Sequence, residues 1–490
     1  MDNVAKNLRR AHRLQKLIEP RNIVIRRGTV TDASHNPIID TLTENDLQVS
    51  RSFGNIVGLY HKTLMSRLFH WIFLSFSAAS LSAAPLADYA IMGDIDFSPF
   101  AGSENLLYGT RLIERGEECF FRKATFDNPK SSIARSLRLT ELLTIYMPLN
   151  YEAMLIQHEV FGHGYRIRSL GNSIAYVSGY DLGVPLPYGY GGGATKYHFN
   201  PSRLTSSEEM AISMAGVEST AIMANVTKWK WLTTRMIDAK QSLLYIWCQS
   251  DISEYISSLK TIGKYDDGEM EGHDIHEYLA WLNRTYPQKH LSGKRLIALN
   301  WINLLDPFAY YSIWAWFHYI SSGRDTKIPM IKIGNVGYLC SARLGLTPFG
   351  PEVFWENYFA NQGRVYYAYI KGGRHAGNRY VGAGVFLPVL YKRGKWEMGL
   401  RCDLWRQPKM LLSPGSLPLD EAMDYPLVPL YAPALFHRMH FGAALSITAF
   451  YHWNQRFGVE GEFGAKSNGY LPGNSLWGGG IARVGLSTRF

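Results

Sequence analysis

The chain has 490 residues, too many for one ordinary core, so two or three structural units are expected. Charged residues make up 19% and aromatic residues 13%, with 30 Tyr, 13 Trp and 45 Gly, a balance that is unusual for a soluble enzyme and suits many exposed strands, tight turns and interfacial rings. The net charge of +10 includes no basic stripe interleaved with stacking aromatics, which excludes a nucleic-acid partner, and the four scattered cysteines (Cys119, Cys248, Cys340, Cys402) form no C-x-x-C pair, which disfavours a cysteine-rich zinc site.

Residues 1–64 carry ten Lys/Arg against six Asp/Glu and show no long amphipathic period. Directly after them comes Met65-Ser-Arg67-Leu-Phe-His-Trp71-Ile-Phe-Leu, then the small-residue tract Ser77-Ala-Ala-Ser80-Leu-Ser-Ala-Ala84. A start methionine, a basic residue, a short apolar run and small residues are the layout of a secretory signal, and the run is too short to span a bilayer of about 30 Å comfortably. Residues 65–83 are therefore expected to be a signal peptide cleaved within Ser82–Ala84, and residues 1–64 an upstream extension absent from the mature protein. The other reading is a buried hydrophobic helix behind a cytosolic domain. Residues 84–136 are expected to be a short linker, with a strand pair near Asp94–Phe100 and Asn105–Ile113 that could join a sheet.

Helical spacing dominates residues 137–325, with apolar runs at 137–157, 206–232, 240–261 and 292–322. The last contains Asp306-Pro307, which breaks or kinks a helix. Its Asn300, Asn303, Asp306 and His318 favour a buried pair of helices over a membrane span. After the apolar helix Tyr151–Gln157 comes His158-Glu159-Val160-Phe161-Gly162-His163. Two histidines four residues apart share one helical face and can hold one zinc ion. Here the spacing is five, which puts the second ring about 140° around an ideal helix. A single π turn absorbs the extra residue, and Gly162 is placed to permit one.

This H-E-x-x-G-H segment resembles the zinc-binding helix of the dipeptidyl-peptidase III family. The likeness spans six residues and nothing else in the chain. It implies zinc on His158 and His163, water activation by Glu159, and a downstream Glu completing the site. The candidate for that Glu is Glu218, the only charged residue in the run Ala215-Gly-Val-Glu218-Ser-Thr-Ala221, because an isolated carboxylate there needs a partner. Glu209 is the weaker choice, since a first-turn Glu already suits a helix N-terminus. A competing cluster, His273-Asp274-Ile275-His276-Glu277, lies beside the acidic run Asp266-Asp267-Gly268-Glu269 and reads better as a helix start. Pro185–Gly193 is glycine-rich without the lysine of a phosphate loop, and reads as a plain loop or a flap.

From about residue 331 the period turns to two. Trp396, Met398, Leu400, Cys402 and Leu404 alternate with Glu397, Gly399, Arg401 and Asp403; Phe441–Phe450 and Phe457–Ala465 repeat the pattern, and 406–437 reads as an extended loop. The ending Ala482-Arg-Val484-Gly-Leu486-Ser-Thr488-Arg-Phe490 resembles the closing strand of outer-membrane barrel proteins. The expected fold is α+β: a helical zincin-like region joined to a C-terminal antiparallel transmembrane β-barrel (326–490) of about eight strands, or ten if the 94–113 segment joins. A soluble β-sandwich is the competing fold. The expected function is a Zn2+-dependent hydrolase, acting on a peptide or protein and anchored by outer-membrane lipid contacts after export from Met65. The alternative is a barrel without catalysis, serving as channel, adhesin or scaffold.

Overall fold

The computed structural model describes residues 24–26, 29–31, 87–126, 130–259, 272–413 and 438–489. The expected signal peptide, most of the expected upstream extension, the 266–269 acidic run, most of the expected 406–437 loop and terminal Phe490 lie outside the described residues. Strands β1 (Val24–Arg26) and β2 (Thr29–Thr31) pair as a small antiparallel hairpin.

One antiparallel sheet of ten strands organises the rest. Its order is β3 (Asp88–Asp94), β16 (Gly479–Arg489), β15 (Phe457–Lys466), β14 (Met439–His452), β13 (Trp396–Pro408), β12 (Asn378–Arg393), β11 (Arg364–His375), β10 (Gly350–Asn361), β9 (Val336–Thr347) and β8 (Ile331–Ile333). The higher of the two expected strand counts is met, but closure is not: β3 and β8 end the sheet and do not pair with each other. Of the expected strand pair, Asp94–Phe100 shares only Asp94 with β3 and runs through a turn into a helix, and residues 105–113 also depart from expectation. They lie inside helix α1 (Pro99–Phe126), and only β3 joins the sheet from this part of the chain.

The alternation sorts the two faces against the usual rule for a soluble sheet. Trp355 pairs Ile370, Ile447 pairs Phe463 and Leu486 pairs Ile91, and these large apolar side chains are exposed, as is Leu404. The opposite face carries Glu352, Glu356, Lys371, Asp403, Glu462 and Arg483, all buried. Buried charge needs partners. Glu352 takes Lys371 at 3.1 Å, and Glu462 takes Arg483 at 2.7 Å.

Much of the pairing comes from helix α6 (Ala215–Thr234), which lies against this polar face. Asn225 donates to Glu356 at 3.0 Å and Lys228 to Ser341 at 3.1 Å, while the Arg401 guanidinium sits over Trp229. The sheet wraps its charged side around a helix.

The remaining helices continue from both sheet edges. Helix α2 (Ser132–Glu141), a π turn (Leu142–Tyr146), α3 (Met147–His158), a second π turn (Glu159–His163) and α4 (Gly164–Arg168) run without interruption. A hairpin of β4 (Ala175–Leu182) and β5 (Gly193–Phe199) follows, then α5 (Ser206–Ser213), started by a Thr205/Glu208 capping box. After α6 come β6 (Met236–Ile237), α7 (Ser242–Ser258), α8 (Asp274–Thr285), α9 (Gly293–Asn300), a 3-10 turn (Trp301–Leu305), α10 (Pro307–Ser322) and β7 (Thr326–Lys327), which pairs with β6. Asp306 caps α10 through the Phe308 N–H, and Pro307 occupies its first turn, which explains the break at that dipeptide. Among the described residues no helix is long and apolar enough to cross a membrane. Helix α8 rests on one rim of the sheet, where Tyr278 donates to the Thr347 carbonyl at 2.8 Å and Tyr286 meets the His375 ring edge-on.

Candidate metal centre

The π turn at Glu159–His163 resolves the five-residue spacing, because one extra residue per turn brings His163 back onto the face of His158. Their ring centroids lie 5.0 Å apart and their Nε2 atoms 3.2 Å apart. Gly162 contributes differently from expectation. A Cβ there would lie 2.8 Å from both the Ala215 carbonyl oxygen and the Gly216 Cα, so the glycine permits α6 to cross the π turn closely. Gly216 in turn leaves room for the His158 ring, since a Cβ on it would fall 2.1 Å from His158 Nε2.

The third group is Asp274, the first residue of α8. Its Oδ2 lies 2.9 Å from His158 Nε2 and 3.0 Å from His163 Nε2. A carboxylate at a helix N-terminus also faces the positive end of the helix dipole. The two histidine clusters of the sequence are thus parts of one site. His273 serves as the N-cap of α8, its ring accepting from the His276 N–H.

Glu218 is elsewhere, and its placement corrects the expected ligand set. Its carboxylate accepts from Arg166 at 2.8 Å, from the Tyr470 hydroxyl at 2.9 Å and from the Gly473 N–H at 2.7 Å. The lone carboxylate does have a partner, and the partner is a buried guanidinium. Glu209 is also outside the cluster, buried on α5, where burial and the charges of Glu277 and Glu208 push its pKa up to about 7.

The outer nitrogens of both rings are engaged. His158 Nδ1 lies 2.8 Å from Asp251 Oδ2, and His163 Nδ1 lies 2.8 Å from the Ile212 carbonyl oxygen. Both partners are acceptors, so each Nδ1 carries its hydrogen. In a neutral imidazole the Nε2 lone pair then points inward. Asp251 is itself fixed by the Thr220 hydroxyl at 2.7 Å. Burial opposes charging of both histidines, yet the Asp251 and Asp274 carboxylates hold His158 well above its ordinary pKa, and Asp274 raises His163. Burial would raise the Asp274 carboxyl, but the two rings hold it well below the usual carboxylate range. Each group draws positive charge toward the point between them.

A divalent cation answers that demand. Ligands about 2.0–2.1 Å from a tetrahedral zinc lie about 3.3 Å from one another, close to the 2.9–3.2 Å separations seen here. Two imidazoles and one carboxylate are a zinc donor set, and a histidine whose far nitrogen donates to a carboxylate or carbonyl is the usual outer shell of such a site.

Glu159 follows His158 on the π turn. It is buried, its Oε2 accepts from Thr195 of β5 at 2.7 Å, and its charge reaches His163 and Tyr255. Tyr255 of α7 stacks on the His158 ring at 5.7 Å, and burial, then Asp274 and Asp251, keep its phenol protonated. Neither Asp251 nor Tyr255 announces itself in the sequence; each is one polar residue in a mixed helix. Asp274 could have been found from its neighbours His273 and His276.

The fold and site together define a mixed α+β protein carrying a three-ligand candidate metal centre on a π turn. No family model, curated protein or solved structure matches the chain.

Proposed function

We propose that the protein is a zinc-dependent hydrolase, with a peptide or protein substrate, held in the outer envelope by its ten-stranded sheet. The convergence of His158 Nε2, His163 Nε2 and Asp274 Oδ2, with both Nδ1 atoms already committed, carries the metal assignment. The exposed apolar and buried charged faces of the sheet support the membrane assignment, since a transmembrane barrel presents apolar side chains to lipid and polar ones to its interior. Export would begin at Met65.

Zinc bound in this site would supply Lewis-acid activation of water and of a carbonyl. His158, His163 and Asp274 would hold it, while Asp251 and the Ile212 carbonyl fix the tautomers and ring orientations. Glu159 accepts the proton of the attacking water and returns it to the leaving amine. The Thr195 hydroxyl holds the Glu159 carboxylate in place from the β4–β5 hairpin. Tyr255, kept as a neutral phenol, donates a hydrogen bond to the developing oxyanion.

Metal analysis and a peptide-library digest of the purified full chain test this reading. About one zinc per chain and a cleavage activity lost in Glu159→Gln are expected. Protein with neither stoichiometric zinc nor cleavage activity would leave an envelope barrel without catalysis, and activity that persists in Glu159→Gln would remove Glu159 as the general base.

A further inference from the structure

The ten-stranded sheet stops at β3 on one side and at β8 and β9 on the other, and the residues that meet these edges are helical. On the β3 edge, Asn105 of α1 acts as a strand in miniature. Its amide donates to the Met92 carbonyl at 2.9 Å and accepts from the Met92 N–H at 2.6 Å. On the β9 edge, Asn303 of the 3-10 turn accepts from the Leu344 N–H at 2.8 Å. Free strand edges are satisfied by side-chain amides from helices.

Between these two edges the helices form a connected series. Ser341 of β9 donates to Asp306, the cap of α10, at 3.0 Å. Arg138 of α2 donates to the Ile320 carbonyl of α10 at 2.7 Å, and Tyr319 of α10 donates to Glu141 of α2 at 3.2 Å. Tyr146, on the π turn after α2, donates to Glu117 of α1 at 3.0 Å. Every step from β9 to β3 is bridged.

These helices are inverted in the same sense as the sheet. On α10, Tyr310, Ile313, Trp314 and Phe317 recur at helical spacing on one face, and Trp314 is 61% exposed. On α2, Leu137 and Leu139 are exposed at 45% and 39% while Arg138 between them is 3% exposed. On α1, Leu112 and Ile113 are exposed and Glu114 is wholly buried. A helix in water does the reverse.

We infer that α10, α2 and α1 complete the wall begun by the ten strands, and that their Tyr310–Phe317, Leu137–Leu139 and Leu112–Ile113 faces lie against the acyl chains of the bilayer. This rests on the reading of the strands as lipid-facing. Three physical points favour lipid as the occupant. The apolar faces of strands and helices have the same sign of inversion on both sides of each edge, so the environment that covers one covers the other. A protein partner or a second copy would cover one side, whereas apolar side chains are exposed on strands from β3 to β10 and on three helices. Helices satisfy their own backbone, so they can replace strands where no water reaches.

Photocrosslinking of the full chain in phosphatidylethanolamine–phosphatidylglycerol vesicles tests the inference. p-Benzoylphenylalanine replaces Phe317 on α10, Phe463 on β15, or Tyr190 in the β4–β5 loop, which is fully exposed; Trp314 is a second helix position should the Phe317 variant not fold. A phospholipid-mass adduct at 317 (or 314) and at 463, and none at 190, is the expected result. An adduct at 463 with none at 317 or 314 overturns the helical wall and leaves the lipid-facing strands standing. No adduct at 463 or on α10 removes the membrane reading itself. Equal labelling at 190 and 317 also overturns the inference, because the helix face would then be no nearer to lipid than an exposed loop.

Discussion

The Nε2 atoms of His158 and His163 lie 3.2 Å apart with Asp274 Oδ2 about equally distant from both. Unprotonated, the three atoms repel; around one cation they are ligands. Either His158→Ala or His163→Ala is therefore expected to abolish stoichiometric zinc, and Asp274→Ala to weaken it by more than the roughly 10–100-fold that loss of an outer-shell partner costs. Glu218→Gln should keep its zinc. Its cost should fall on stability, of order 3–5 kcal/mol, because the buried Arg166 would lose its counter-charge. Zinc content and melting temperature of the four variants check this, and a Glu218→Gln protein that folds normally but lacks zinc would refute the ligand assignment.

Asp251 touches only the far side of His158, at 2.8 Å. Replacing it by Asn leaves the size unchanged but removes the obligate acceptor that fixes the Nδ1–H tautomer. Zinc affinity is expected to fall about 10–100-fold, with little change for Thr220→Val beyond the loss of one hydrogen bond. Competition with a fluorescent chelator measures both. An unaltered affinity in Asp251→Asn would remove the outer-shell role.

Gly216 is the sharpest steric constraint on the site. The β-carbon of alanine would sit 2.1 Å from His158 Nε2, and the ring cannot retreat without giving up Asp251. Gly216→Ala should displace the imidazole and lose zinc, with a packing penalty of about 1–3 kcal/mol. Gly109→Ala on α1 is the control. Nothing lies within 4 Å of its β-carbon, and the helix gains up to about 1 kcal/mol. Equal zinc content in both variants would show that the ring has space elsewhere.

Legibility in the sequence followed the range of the interaction concerned. The faces of β13, β14 and β15 are readable because a strand has period two and the alternation of Trp396–Leu404 is local. The π turn is readable because five-residue spacing between two ligands demands it. Glu218 shows the limit. That a lone carboxylate needs a partner follows from the sequence; whether the partner is a metal or Arg166, 52 residues away, is set by how α4 and α6 cross. Asn105–Ile113 looks like a strand because Leu112 and Ile113 are exposed while the neighbouring Glu114 is buried, which blurs the helical period. Open versus closed is also a tertiary matter, since an amide such as Asn105 or Asn303 can end a sheet as well as another strand can.

Glu209 gives the fold a pH dependence distinct from that of the metal ligands. Its carboxyl is buried on α5 and faces Glu277 and Glu208, so its folded pKa stands near 7, against about 4.3 in an unfolded chain. Below pH 4 both states hold the proton and the residue has no effect on stability. As pH rises from about 4 to 7 the unfolded chain releases its proton first, so stability falls through that window and levels off above it. The shift corresponds to roughly 4 kcal/mol at most. Gln mimics the protonated acid, so Glu209→Gln should match the parent at pH 4 and melt higher at pH 8. Comparing the two proteins cancels every other titrating group. Parallel melting curves at both pH values would show that Glu209 is charged and solvated in the fold, contrary to its packing.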